Sequence, residues 1–362
     1  MPERTISHLA RPVSSARLVG RPLGIGYLPL LDAAPLVVAH ELGYFEREGL
    51  TTVLRRQPGW AAVRDKILYG TIDVAHAPGG LLYAINAGAT PNVGRCLSAF
   101  IMSAQGNAIT LSRRLYDRGI RQAEDLPAEV RARRSALITF GIVSPHSSHA
   151  HLLRGWLQRG ALDPKRDVRI VVLPPQQMVS SLAVGHLDGF CAGEPWNTLA
   201  VSEGHGWIAA DSGALTRLHP EKVVLVHEEF AREHEAEHLA VLRALRGACA
   251  FCAEPANRAA LLKLLLRWVF VDVAEKVLSR SLASELTPIF SGPDLHVPSP
   301  QKASWILDEM RRHALLPAAT SDEALLASFR PDLYERMAEP RRQSAAEGPR
   351  PSPRAASPHK PK

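Results

Sequence analysis

Four short stretches of this 362-residue chain carry residue types at spacings that could do chemistry. HEAEH, His234 to His238, has the H-E-x-x-H spacing that on a helix sets two imidazoles on one face for zinc, with a glutamate as base. CAFC, Cys249 to Cys252, has the two-residue gap of redox and metal-binding thiols. In SPHSSHAH, Ser147 or Ser148 can cap a helix whose first turn holds His149, where free N–H groups and the helix dipole favour an anion. DGFCAGEPWN sets Glu194 between Gly193 and Pro195; glycine permits close backbone approach and proline holds its predecessor extended, so this carboxylate has a fixed direction.

The first two stretches have simpler readings. EEFAREHEAEHLAV is charged all around the HEAEH motif and no third ligand is evident, so it reads as a solvated helix face. CAFC lacks a second pair and a thioredoxin-like strand before it, so its cysteines read as apolar packing on a helix. Neither a P-loop, a dinucleotide fingerprint nor a nucleophile elbow is present, and the reading is non-enzymatic, with no catalytic residue, metal ligand or cofactor expected. Three further side chains suit a binding site. Trp60 can wall a pocket and donate through Nε1, Asn107 or its neighbour Gln105 supplies an amide, and Lys222 precedes a strand. Taken singly, Trp60 reads as a packing anchor, His149 as part of a surface cap cluster and Lys222 as an exposed strand-entrance lysine.

The elements that must position these residues follow an α/β grammar. LGIGYLPLLDAAPLVVAHELGYFEREGL reads as a strand, a Pro-marked loop and a helix from about Ala33 to Glu48 closed by Gly49. TTVLRRQPGW is a strand running to a turn, AAVRDKILYG a short helix, and IDVAHAPGG a buried strand breaking at Pro78. SALITFGIV, SHAHLLRGWLQRG, DVRIVVLPP, QQMVSSLAVG and LDGFCAG repeat the alternation, which implies a second lobe of similar architecture. From about Phe230 to Arg312 the pattern is mostly helical. In open α/β sheets ligands bind beyond the carboxyl ends of strands, and GYLPLLDAA, QPGW, SPHSSH and AGEPWN all fall there.

Composition narrows the class. Hydrophobic residues make up 46% and charged residues 22%, values of a globular protein, and no apolar run is long enough to cross a bilayer. Of the net charge of +7, the segment Pro340–Lys362 carries +5, so the body is nearly balanced. That segment holds six prolines and few large apolar side chains, and reads as a disordered, solvated tail, not a nucleic-acid or membrane arm. Cys96, Cys191, Cys249 and Cys252 are too scattered for a disulfide framework, and the first residues lack the apolar core of a secretory signal. The expected location is cytoplasmic.

In combination the motifs resemble a known family. The stretches GYLPLLDAAPLVVAHELGYFEREGL, PGWAAVRDKILYGTIDVAHA, GNAITLS, HAHLLRGWL, LPPQQMVSSLAVGHLDGFCAGEPWN and EKVVLVHEEF occur in the order and spacing of the nitrate- and bicarbonate-binding proteins of ABC importers, from about Leu23 to Tyr334. The resemblance implies an α/β, two-lobed, periplasmic-binding-protein-like (class II) clamp with a ligand cleft between the lobes. It implies a polar leader over 1–21, lobe 1 over 22–112 and 206–338, lobe 2 over 113–205, and the tail over 339–362. It assigns ligand binding to Trp60, Asn107 (or Gln105), His149, Gly193, Glu194 and Lys222. An indole N–H, an amide, an imidazole, a glycine N–H and an ammonium can together hold a small planar oxyanion, while Glu194 is expected to orient Lys222 or His149. Without an export signal, the resemblance is greatest to the cytoplasmic nitrate/nitrite sensor of nitrate assimilation. That implies nitrate or nitrite as ligand and an RNA-binding, ANTAR-type transcription antiterminator as protein partner, without direct nucleic-acid contact. The alternative is the exported solute-binding protein of a nitrate/bicarbonate-type importer.

Overall fold

A computed structural model describes residues 21–92, 94–133, 137–216 and 218–339. The expected polar leader before Arg21 and the basic tail from Pro340 lie outside the described residues. Among the described residues eleven strands form two sheets. The first contains β1 (Leu23–Tyr27), β2 (Thr52–Arg56), β3 (Val74–Pro78), β4 (Cys96–Leu97), β5 (Ile101–Ala104) and β11 (Pro220–His227), in the order β2-β1-β3-β11-β4, with β5 also on β11. The second contains β6 (Asn107–Ser112), β7 (Ile138–Ile142), β8 (Val168–Val172), β9 (Gly189–Gly193) and β10 (Gly206–Asp211), in the order β10-β6-β9-β7-β8. The two orders are the same pattern. In each, a parallel trio (β2-β1-β3, β8-β7-β9) meets one antiparallel strand that enters from the other lobe, β11 in the first and β6 in the second. The α/β, two-lobed architecture is as expected from the alternation of strands and helices.

Two details differ from the expectation. Asn107–Ser112 and Gly206–Asp211 pair within the second sheet, so the chain changes sheets at Gln105–Gly106 and again between Asp211 and Pro220, and not at 112/113 and 205/206. GNAITLS is uniformly apolar and carries no marker of which sheet it serves; pairing with β9 decides it. The long helix expected from Ala33 to Glu48 is two helices, Ala34–Glu41 and Tyr44–Arg47, because Gly43 between them takes a φ of 72°, a left-handed conformation that breaks the ladder.

The crossover at Gly106 is conformationally demanding. Gln105 and Gly106 have φ values of 56° and 89°, and a Cβ on Gly106 would lie 2.9 Å from the Cα of Pro288. Glycine is therefore required both by backbone angle and by space, and the turn delivers Asn107 as the first residue of β6. Apolar packing joins the lobes as well. Trp196, just after β9, donates from Nε1 to the carbonyl of Pro29 at 3.0 Å and packs edge-on against Phe270.

The two sequence motifs set aside above are structural. HEAEH straddles a helix junction, His234 ending Glu228–Glu233 and preceding Glu235–Ala253, with both imidazoles against the Phe230 ring. Cys249 and Cys252 are buried on Glu235–Ala253, and burial raises both thiol pKa values, which leaves them protonated packing groups.

Replacement of Gly106 by alanine is expected to destabilise the protein by about 2 kcal/mol or more, since it combines left-handed strain with backbone overlap. Urea unfolding of the variant against wild type measures it.

Candidate functional site

The carboxyl ends of the strands of both sheets converge on one buried group of side chains. From the first sheet, the loop after β1 carries Asp32 and the turn after β2 carries Trp60, at the start of helix Trp60–Leu68. β3 carries His76, and β11 opens with Pro220, Glu221 and Lys222, Lys222 standing opposite Pro78. From the second sheet, β6 opens with Asn107, opposite Gly193 at the end of β9. The loop after β7 leads to Ser147, which caps helix Ser148–Arg159 and sets Ser148 and His149 in its first turn. Asn107 and Lys222 hold equivalent places, each near the start of the antiparallel strand that enters its sheet from the other lobe.

Successive residues of a strand normally face opposite sides. The pairing of β11 with β5 shifts register between Pro220 and Lys222, so Glu221 is an extra residue on β11. Such a bulge re-aims side chains, and here Glu221 and Lys222 reach the same buried group.

Glu221 is the centre of that group. Its Oε1 pairs with the ammonium of Lys222. Its Oε2 accepts hydrogen bonds from Asn107 Nδ2 at 2.6 Å and from the hydroxyl of Ser148, and lies 3.2 Å from His219 Nε2. His149 Nε2 lies 3.4 Å from Oε1. A carboxylate on a first-sheet strand is thus held by Asn107 and Ser148 of the second lobe, with His149 beside it. Lys222 also pairs with Asp32 Oδ2 at 2.7 Å and lies 5.7 Å from the centre of the Trp60 ring, within cation–π range. His76 Nε2 accepts from the backbone N–H of Leu28 at 2.9 Å, which leaves the proton on Nδ1, facing Asp32 Oδ1 at 3.2 Å.

Burial sets the electrostatics. Asp32, Glu221, Lys222 and His149 are at most 2% exposed. Desolvation alone would raise both carboxyl pKa values, but Lys222 and the hydrogen-bond donors outweigh it, holding Asp32 below the usual range and Glu221 well below it. Desolvation would lower Lys222, yet the two carboxylates raise it. At His149 desolvation prevails over Glu221 and lowers the pKa, so this imidazole is neutral. Lys222 thus supplies one ammonium against the two carboxylates of Asp32 and Glu221.

Trp60, Asn107, His149, Gly193 and Lys222 are therefore brought together. Gly193 lies against the Asn107 amide, where a Cβ would sit 3.5 Å from Asn107 Oδ1. Gln105 turns elsewhere, towards Gly213, so Asn107 is the amide of the cluster. The role expected of Glu194 is not found. Its carboxylate accepts from the hydroxyl of Ser281 at 2.6 Å, and its pKa is raised by burial against the lowering effect of hydrogen bonds from Ser281, Thr198 and Asn197. Its carbonyl accepts from Leu31 N–H at 2.8 Å, joining the end of β9 to the loop that holds Asp32. Asp32 and Glu221 are the carboxylates that hold Lys222. Sequence reasoning missed both, although Asp32 lay in a marked strand-end loop and Glu221 beside a named residue.

The comparisons with known proteins fit this geometry. A model of the NMT1-like family matches residues 20–266. The nitrate import ATP-binding protein NrtC of Synechocystis is 33% identical over 91% of this chain and 52% of its own length. The bicarbonate transport ATP-binding protein CmpC of the same organism is 36% identical over 82% of this chain and 46% of its own. The chain spans about half the length of these curated relatives. The crystal structure of the periplasmic nitrate-binding protein NrtA from Synechocystis superposes with a TM-score of 0.81 at 25% identity, covering 88% of each chain. With the family model covering most of the folded body, the two-sheet clamp described above belongs to the NMT1-like family, among its nitrate-binding-protein-like members.

Proposed function

We propose that this chain binds a small oxyanion, nitrate or nitrite, between its two lobes and acts without catalysis. One observation carries the reading. Trp60 Nε1, both ring nitrogens of His149 and Asn107 Oδ1 are buried without hydrogen-bond partners, and they converge from both lobes on the group around Lys222. Buried polar atoms ordinarily have partners, and a polar ligand supplies them. An indole N–H and an imidazole suit a planar acceptor, and Trp60, Asn107, His149, Gly193 and Lys222 form its binding set. Glu194 serves that site by bracing the lobes through its backbone.

The excess of carboxylates over ammonium places a condition on the ligand. Lys222 is already matched by two carboxylates, so a monoanion entering a buried, low-dielectric site must be accompanied by a proton. The titratable and charged groups there are Asp32, His76, His149, His219, Glu221 and Lys222. His219 has Thr216 O 3.4 Å from Nδ1 and Glu221 Oε2 3.2 Å from Nε2. The unpartnered acceptor Asn107 Oδ1 favours a second reading, bicarbonate, whose own O–H supplies the donor that this oxygen lacks. Similarity to a bicarbonate transport protein supports it.

The finer role is a cytoplasmic nitrate/nitrite sensor. Anion binding favours a closed state that binds an RNA-binding antiterminator less well, to the extent that the ligand discriminates between the two states. That role rests on the sequence resemblance, whereas the import proteins among the relatives support a solute-binding role at an ABC importer. Titrating nitrate into a mixture of the protein and a candidate antiterminator separates the two. Dissociation supports the sensor, and a complex indifferent to millimolar nitrate, or none at all, removes it while leaving anion binding intact.

Trp60→Phe removes the unpartnered indole N–H together with part of the ring and is expected to weaken nitrate binding by about 1 kcal/mol or more, and His149→Ala by about 1.5–3 kcal/mol, both by calorimetry. Unchanged affinities would take these residues out of the site. Lys222→Met leaves two buried carboxylates without their counter-ion, so it should cost about 3–5 kcal/mol of stability in urea unfolding. A variant as stable as wild type would contradict the pairing.

A further inference from the structure

A second polar cluster lies at the junction of the lobes, outside the group around Glu221. His151 projects from helix Ser148–Arg159 of the second lobe. Glu309 and His313 lie one turn apart at the end of helix Pro300–Arg312, which packs against helix Gly79–Asn86 of the first lobe. One ligand atom from each of the three can be chosen so that all lie within 4.8 Å of one another. The imidazoles are nearly parallel, with centres 5.7 Å apart, and are 4% and 8% exposed. Three of their four ring nitrogens, both of His151 and Nε2 of His313, have no hydrogen-bond partner. Glu309 Oε2 lies 3.6 Å from His313 Nε2, and Oε1 pairs with Arg312 at the surface.

Two buried imidazoles with free lone pairs beside a carboxylate are a recurrent donor set for a first-row divalent cation. Arg154 is directed to the carbonyl of Pro145 at 3.5 Å. A leucine or phenylalanine in place of either histidine would avoid the cost of burying unpaired ring nitrogens, so packing alone does not account for the pair.

We propose that His151, Glu309 and His313 form a zinc-type divalent metal site that ties the second lobe to the C-terminal helices of the first. His149 and His151 are two residues apart in the first turn of one helix, so their side chains leave it in nearly opposite directions. One imidazole faces Glu221 and the other faces the metal ligands. A bound ion would anchor the turn that presents Ser148 and His149, a role independent of which anion the protein binds.

The test is zinc titration of the full chain, by calorimetry and by competition with a chromogenic chelator, on wild type and on the His151→Gln, His313→Gln and Glu309→Gln variants, with His234→Ala as control. Expected are one zinc per chain, a weakening of tenfold or more in each of the three variants, and an unchanged control. Zinc should raise the melting temperature of wild type but not of His151→Gln. Melts in chelator show whether each variant folds; should His151→Gln fail to, His313→Gln, at the helix end, carries the comparison. Equal zinc affinity in wild type and the folded ligand variants, or no binding at micromolar zinc, overturns the proposal. Anion affinity does not enter this readout, so its failure and that of the oxyanion reading are separable.

Discussion

Burial of the Glu221 carboxylate is the constraint on which the rest of the site depends. A carboxylate removed from water is tolerated only when paired and hydrogen-bonded, and neither lobe alone satisfies this one. Its own lobe supplies Lys222 and His219; the second lobe supplies Asn107, Ser148 and the nearby His149. Opening the cleft would return part of this shell to solvent. The bulge that turns Glu221 inward, the glycine that delivers Asn107 and the serine cap that sets Ser148 and His149 in a first helical turn all serve the same contact. Lys222 is held in turn by Asp32, whose position follows from the 3-10 turn after β1.

The matching topology of the two sheets explains how distant residues meet. Each sheet receives one antiparallel strand from the opposite lobe, and each such strand begins at the cleft, so the first residues of β6 and β11 are shared property of both lobes. Loops after the parallel strands arrive at the same edge, the place where open α/β sheets bind ligands. Hydrogen bonds to backbone carbonyls, from Leu31 N–H to Glu194 O and from the Trp196 indole N–H to Pro29 O, bring the lobes together beside it.

Much of this was legible in the sequence because the signals are local. Strand runs, Pro and Gly breaks and the serine cap located the cleft loops, and Trp60, Asn107, His149, Gly193 and Lys222 do meet there. What was not legible depends on tertiary partners. Nothing in PEKVVLV shows that a bulge places Glu221 and Lys222 on one side, or that two carboxylates, not one, balance the lysine. Glu194 has the fixed direction that Gly-Glu-Pro suggests, but its side chain leads to Ser281, 87 residues away along the chain, a contact no local pattern records. The membership of β6 and β10 in the second sheet was hidden for the same reason, since an apolar strand does not announce its neighbour.

The charge of the Glu221 group distinguishes this site from a simple cationic anion trap. One ammonium among two carboxylates leaves no net positive charge for a monoanion, nitrate or bicarbonate, unless a proton arrives with it. The most direct measurement is the number of protons taken up when nitrate binds at pH 8, where a free histidine is neutral, obtained by calorimetry in two buffers of different ionisation heat. The account predicts that heats differ by an amount corresponding to about one proton per nitrate. Saturable nitrate binding with identical heats in both buffers would contradict it.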